Sequence, residues 1–159
     1  MQVARSYMIF ARNGDMIPLS LAKVDEAEKI FGQQVISEKT AKSVRNMLEL
    51  AAGPRGTAPR AQVPGYRVAG KTGTTHKLER GKYVNKYVAS FVGFAPVSNP
   101  RIIVAVMIDE PSNGQHYGGV VAAPVFSKIV ANTLRSMNVT PDSTVTNIVI
   151  PQNGPQESV

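Results

Sequence analysis

Apolar positions recur along this chain with two periods, and the change from one to the other divides it into helices and strands. Over residues 1–12 a spacing of three and four puts Val3, Tyr7 and Phe10 on one stripe, with Ala4, Met8 and Ala11 beside it, and predicts a helix. Asn13-Gly14 ends it, since both residues tolerate the left-handed backbone of a helix terminus. Ile17 to Val24 reads as a short strand broken by Pro18, and residues 25–34 as a polar loop turning at Gly32. Val35-Ile36 reads as another short strand. Ser37 then caps a helix with Glu38 in its first turn, where the dipole favours an anion. The apolar stripe of that helix is Val44, Met47, Leu48 and Ala51. Gly53-Pro54 stops it, and residues 53–65, with three Gly and three Pro, form a loop.

The second half switches to strands. Arg67 to Thr75 reads as one, followed by a solvated, basic loop over residues 76–86. Tyr87 to Ala95 and Ile102 to Ile108 are nearly continuous apolar runs, joined by Val97-Ser98-Asn99-Pro100, a link short enough for an antiparallel hairpin. Neither run alternates with polar residues, so both sheet faces must be covered. The expected fold class is therefore α/β (α+β): an antiparallel sheet with helices on both faces. Residues 109–119 form a polar loop. A last helix begins near Val120, tolerates Pro124 in its first turn, and carries Phe126, Ile129, Val130, Thr133, Leu134 and Met137 at the i, i+3, i+4, i+7 spacing. The expected division is one folded unit over residues 1–140 and a disordered tail over 141–159. There is no internal repeat. The helical pattern starts at once after Met1, where a natural terminus is usually looser, so the chain is expected to be part of something larger.

Composition narrows the chemistry. The 159 residues include no Cys and no Trp, which excludes thiol catalysis, thiolate metal sites and disulfides and leaves an aliphatic core. The formal net charge of +7 suits an anionic partner such as a cell-wall polymer, a membrane face or nucleic acid. The Lys and Arg residues are scattered, however, with no aromatic platform among them, which argues against nucleic acid. No apolar run approaches the roughly 18 residues of a membrane helix. His76 and His116 are not at metal-ligand spacing. Asp109-Glu110 reads as a solvated loop entry rather than acid–base machinery, and the basic stretch Lys77–Lys86 as a solvated loop able to touch an anionic polymer.

One stretch carries chemistry: Lys71-Thr72-Gly73-Thr74, at the end of an apolar run. On a strand, Thr72 and Thr74 point to one face, and two hydroxyls aimed together can hold a carboxylate or a carbonyl oxygen. Gly73 lets another backbone approach closely. Lys71 points to the opposite face, but its long stem can bend toward a cavity, favour a deprotonated nucleophile and attract an anionic substrate. The arrangement suits an extended peptide along a strand edge, with its free carboxylate at the threonines.

The flanking residues extend the pattern. Gln2-Val3-Ala4-Arg5-Ser6-Tyr7 with Phe10-Ala11-Arg12-Asn13-Gly14, then Pro64-Gly65-Tyr66-Arg67-Val68-Ala69-Gly70 before the Lys-Thr-Gly, resemble class B penicillin-binding proteins. So do Phe91-Val92-Gly93-Phe94-Ala95-Pro96, Ile108-Asp109-Glu110-Pro111, Tyr117-Gly118-Gly119 and Ala123-Pro124-Val125-Phe126, in order and in spacing. Over residues 2–140 the chain resembles the division-specific transpeptidases of the FtsI type, which share the Lys-Thr-Gly motif with serine β-lactamases.

The resemblance implies an enzyme that crosslinks peptidoglycan stem peptides through a serine acyl-enzyme, and that β-lactams block. It implies a parent protein anchored in the inner membrane, with this domain in the periplasm, working at the septum among divisome proteins. No cofactor is implied. Lys71 would act electrostatically beside the active-site serines. Thr72, Gly73 and Thr74 would line the binding strand, with the two threonines on the carboxylate and the Thr74 N–H as an oxyanion donor. His116 and Tyr117 would form an aromatic rim. The nucleophile is expected before residue 1, and the chain alone is expected to be inactive. Ser20-Leu21-Ala22-Lys23 fits S-x-x-K but not on a buried helix, and Ser136-Met137-Asn138 fits S-x-N in the wrong order. The resemblance further implies that Ile102–Ile108 pairs with a strand from upstream, so the isolated chain is expected to dimerise through that edge. Two other readings stand beside this one: a serine β-lactamase relative, and a non-catalytic basic module that binds cell wall.

Overall fold

The computed structural model describes residues 1–25, 30–112 and 114–144. Helix α1 spans Gln2–Ala11, and the chain leaves it through Asn13 and Gly14 at φ of 58° and 93°, the left-handed geometry those residues accept. Strand β1 is Asp15–Met16 and β2 is Gln33–Gln34, a two-stranded antiparallel pair. Helix α2, Glu38–Ala52, starts as expected: the Ser37 hydroxyl accepts from the Thr40 N–H. A short 3-10 turn, Pro59–Ala61, follows. Strands β3 (Ala69–Glu79), β4 (Lys82–Ala95) and β5 (Ile102–Asp109) form an antiparallel sheet in sequence order. Helix α3, Gly118–Val121, is a single turn leading into α4, Ala123–Ser136.

Both faces of the sheet are covered, as the continuous apolar strands require. On one face Phe91 packs edge-on against Phe126 of α4 at 4.7 Å, and Val106, Val130 and Leu134 complete the layer. On the other face Phe94, Ala69 and Val97 meet Tyr7, Phe10 and Ala11 of α1 and Leu48 of α2. The period of two in β4 sends Phe91 and Phe94 to opposite sides. Coverage stops short of the β5 end, where Met107 is 74% exposed.

Several expectations change. Ile17–Val24 is not a strand: Pro18 lacks an N–H, Leu21 is 90% exposed, and the Ser20 hydroxyl bonds locally to Ala22. The expected loop 25–34 ends in β2, and its residues 26–29 lie outside the described residues. Val35 and Ile36 direct their N–H groups to the single carbonyl of Gly14 instead of a ladder. Of the expected α2 stripe, Leu48 packs against the sheet but Met47 is 64% exposed; the buried positions are Ala41, Arg45 and Ala52, because a buried arginine occupies a position that apolar periodicity ignores. The loop expected over 76–86 is a hairpin arm: β3 and β4 run on to Glu79 and Lys82 around Arg80-Gly81, both at positive φ as a primed two-residue turn requires. The last helix is two, broken at Ala122. The expected tail begins packed: the Asp142 carboxylate accepts from the N–H groups of Arg67 and Ser98, and the Asp142 and Ser143 N–H groups reach the Gly65 carbonyl. Its residues 145–159 lie outside the described residues. Among the described residues no helix is long and apolar enough to cross a membrane.

Candidate active site

Strand β3 brings Lys71, Thr72, Gly73 and Thr74 to the turn that opens α3. Thr72 and Thr74 share a face, as the period of two demands, and both meet that turn. The Gly118 N–H donates to Thr74 Oγ1 at 3.1 Å, and Thr72 Cγ2 lies 3.4 Å from where a Cβ on Gly119 would be. Lys71 leaves on the other side and bends back. Its Nζ donates to Thr72 Oγ1 at 2.9 Å, so cation and hydroxyl form one unit, and Thr72 Oγ1 donates onward to Thr57 Oγ1 at 3.2 Å.

Three glycines allow this closeness. A Cβ on Gly73 would sit 2.6 Å from Ser90 Oγ, which donates to the Gly73 carbonyl. A Cβ on Gly118 would meet the Ser90 carbonyl oxygen at 2.2 Å, and one on Gly119 the Thr57 carbonyl oxygen at the same distance. The turn therefore lies flat on the sheet.

His116 and Tyr117 adjoin this wall as a rim. His116 stacks on Tyr87 of β4 with centroids 3.8 Å apart and planes 11° apart, and Tyr117 leans on His116 at 4.5 Å. His76 continues the row, 4.4 Å from Tyr87. Its Nδ1 lies 3.1 Å from the Val84 carbonyl, which can only accept, so His76 carries a proton on Nδ1. That bond sits where the β3–β4 register shifts between His76 and Leu78. A cavity of about 540 Å³, lined by Thr74, Thr75, His76, Tyr83, Val84 and Asn85, opens beside the wall. A second, about 710 Å³, lies away from it between the end of α2 and Tyr66, with the Arg67–Glu49 ion pair on its lining.

Other sequence candidates fall elsewhere. Ser20 sits in an exposed turn bonded to Ala22. Ser136 closes α4, about 20 Å along the axis from the end that adjoins the wall. Asp109 and Glu110 are held by Lys77, and the bonds from Lys77 keep the Glu110 carboxyl below its ordinary range. A carboxyl held ionised in this way is a poor general acid. Thr57, Tyr87 and Ser90 were not among the sequence candidates. Thr57 and Ser90 meet the motif only through the fold, whereas Tyr87, a phenol at the head of an apolar strand, was a signal available from sequence.

The profile of the penicillin binding protein transpeptidase domain matches residues 1–131. This chain belongs to that transpeptidase family. It is 43% identical over 148 residues to the probable peptidoglycan D,D-transpeptidase PenA of Neisseria flavescens, covering 92% of this chain and 36% of that protein. It is 42% identical over 147 residues to the peptidoglycan D,D-transpeptidase FtsI of Escherichia coli K12, covering 92% and 25%. Among solved structures, the apo transpeptidase domain of Burkholderia pseudomallei penicillin-binding protein 3 superposes with a TM-score of 0.82 at 50% identity, covering 89% of this chain and 43% of that one. The chain thus spans about a quarter to a third of the length of these curated relatives. The expected fold class holds: the transpeptidase domain combines this antiparallel sheet with helices on both faces.

Proposed function

We propose that this chain forms the Lys-Thr-Gly half of a serine acyl-transfer site in a septal peptidoglycan D,D-transpeptidase. The observation that carries this is the Lys71–Thr72 unit beside a Thr74 fixed by the Gly118 N–H. Two hydroxyls on one strand face, joined by a cation that bends round from the other, suit the free carboxylate of a D-Ala-D-Ala stem peptide or of a β-lactam. The Thr74 N–H serves as one oxyanion donor, and Lys71 stabilises negative charge as the serine attacks. His116, Tyr117 and Tyr87 give the substrate an apolar wall. The nucleophile comes from a segment upstream of residue 1. The full-length protein is anchored in the inner membrane, faces the periplasm and works with divisome proteins.

Labelled penicillin tests this. The full-length protein is expected to become covalently labelled, and the 159-residue chain is not, since its S-x-x-K serine, Ser20, lies in an exposed turn with its hydroxyl bonded to Ala22. Labelling of the short chain would show that its nucleophile is internal. Rapid turnover of nitrocefin by the full-length protein would favour a β-lactamase instead.

Strand β5 carries a second expectation. Among the described residues it pairs only with β4, leaving one side of its backbone ladder open beside the exposed Met107. The isolated chain is expected to dimerise through this edge. Sedimentation showing a monomer at high concentration would refute it.

A further inference from the structure

Thr57 lies on the loop between α2 and the turn at Pro59–Ala61, and it touches both sides of the candidate site. Its hydroxyl is the partner of Thr72 Oγ1 at 3.2 Å. Its carbonyl oxygen lies against Gly119, where an added Cβ would come within 2.2 Å. The loop that presents it is tied to α2. The Ala58 N–H donates to the Ala51 carbonyl at 3.1 Å, Ala58 is fully buried, and a Cβ on Gly56 would meet the Ala51 oxygen at 2.1 Å. On its far side Arg60 Nη1 reaches the Val120 carbonyl at 3.5 Å. Thr57 thus sits on a rigid mount at the point where β3 and the α3 turn converge.

We infer that Thr57 is a positioning residue for carboxylate recognition by Thr72; this rests on the transpeptidase reading above. A threonine side chain has three staggered choices, and Thr72 is held in one of them by Lys71 on one side and Thr57 on the other. Without ligand, the Thr72 proton goes to Thr57. A carboxylate at the wall takes that proton instead. The Thr57 hydroxyl is free to turn and then donates its own proton to Thr72 Oγ1, so neither oxygen loses a partner. A hydroxyl that receives two hydrogen bonds is a stronger donor to the carboxylate. The substrate class that depends on Thr57 is therefore one with a free carboxylate next to the scissile bond.

The test compares acylation of the full-length protein and its Thr57 variants by benzylpenicillin and by its methyl ester, which lacks the carboxylate. Thr57→Val keeps the shape and removes the hydroxyl. It is expected to slow benzylpenicillin about tenfold, the size of one lost hydrogen bond, while the slower reaction of the ester is unchanged. Thr57→Ser is expected to restore the wild-type rate within about threefold, and neither variant changes the melting temperature. Benzylpenicillin acylating Thr57→Val at the wild-type rate would overturn the inference. So would equal slowing of drug and ester, which marks a merely structural role. A wild-type protein that labels with neither compound overturns the transpeptidase reading itself, and the assignment of Thr57 with it.

Discussion

Gly118→Ala is expected to displace the α3 turn from the sheet, lower the melting temperature by about 10 °C and abolish penicillin labelling of the full-length protein. The reason is contact rather than backbone freedom, since Gly118 is not among the positive-φ glycines. A Cβ there would lie 2.2 Å from the Ser90 carbonyl oxygen, 2.8 Å from that of Gly73 and 3.2 Å from the Gly73 nitrogen. All three are backbone atoms, and Gly73 and Ser90 face each other across the β3–β4 ladder. Neither strand can yield without breaking the β3–β4 ladder, and β4 is held by β5 as well. The turn must lift, and lifting it removes the Gly118 N–H from Thr74 and the Gly119 contact from Thr57. Forcing an atom into such a packed contact costs about 3 kcal/mol, and for a domain of this size each kcal/mol moves the transition by roughly 2–4 °C. Calorimetry and labelling together decide the matter. A variant that melts within a degree of wild type and still labels would show that the turn is not the rigid floor of the site.

That prediction rests on a contact only partly legible in sequence. Tyr117-Gly118-Gly119 was readable as a motif, and so was the strand carrying Lys71 to Thr74, because an apolar run ending in hydroxyls is a strong local pattern. The distance between them was not, since 44 residues separate Gly118 from its partner Thr74. Thr57 was hidden for the same reason: nothing in a Gly- and Pro-rich loop says which threonine meets the wall. The hairpin arm was missed because both its faces meet solvent, so it lacks alternation; the sign was Arg80-Gly81, a glycine-containing pair where a two-residue turn fits. Apolar content misled in the opposite direction at Ile17–Val24, where Leu19 and Leu21 are exposed. The caps at Ser37 and at Asn13-Gly14 were legible because they are set by residues adjacent in the chain. Local rules thus recovered most elements, while the walls of the site depend on long-range packing.

Arg45→Leu is expected to loosen α1 from the rest of the fold, at a cost of about 3 kcal/mol. Arg45 is 9% exposed in the middle of α2, where apolar periodicity predicts nothing charged. Its guanidinium gathers the end of α1. Nη2 donates to the Phe10 carbonyl at 2.7 Å, the Ala11 carbonyl at 3.3 Å and Asn13 Oδ1 at 2.6 Å, and Nε donates to the Phe10 carbonyl at 3.1 Å. Nη1 reaches the Val97 carbonyl at 3.5 Å, beside the β4–β5 link. The last carbonyls of a helix have no partner within it, and a cation there also meets the negative end of the helix dipole. Burial lowers the pKa of the guanidinium, with Glu38 opposing, yet an arginine remains charged throughout the physiological range. Leucine fills the space but leaves at least two carbonyls and the Asn13 amide without these donors. Arg45→Lys offers a single ammonium in place of a planar fork and is expected to recover only part of the loss. The partners are amide oxygens rather than carboxylates, so the contribution is the same from about pH 5 to pH 9. Hydrogen exchange reads the effect locally: amides of α1 should exchange faster in Arg45→Leu while those of α4 keep their protection. Unchanged α1 protection would mean that the contacts of Tyr7 and Phe10 with Phe94 alone hold that helix in place.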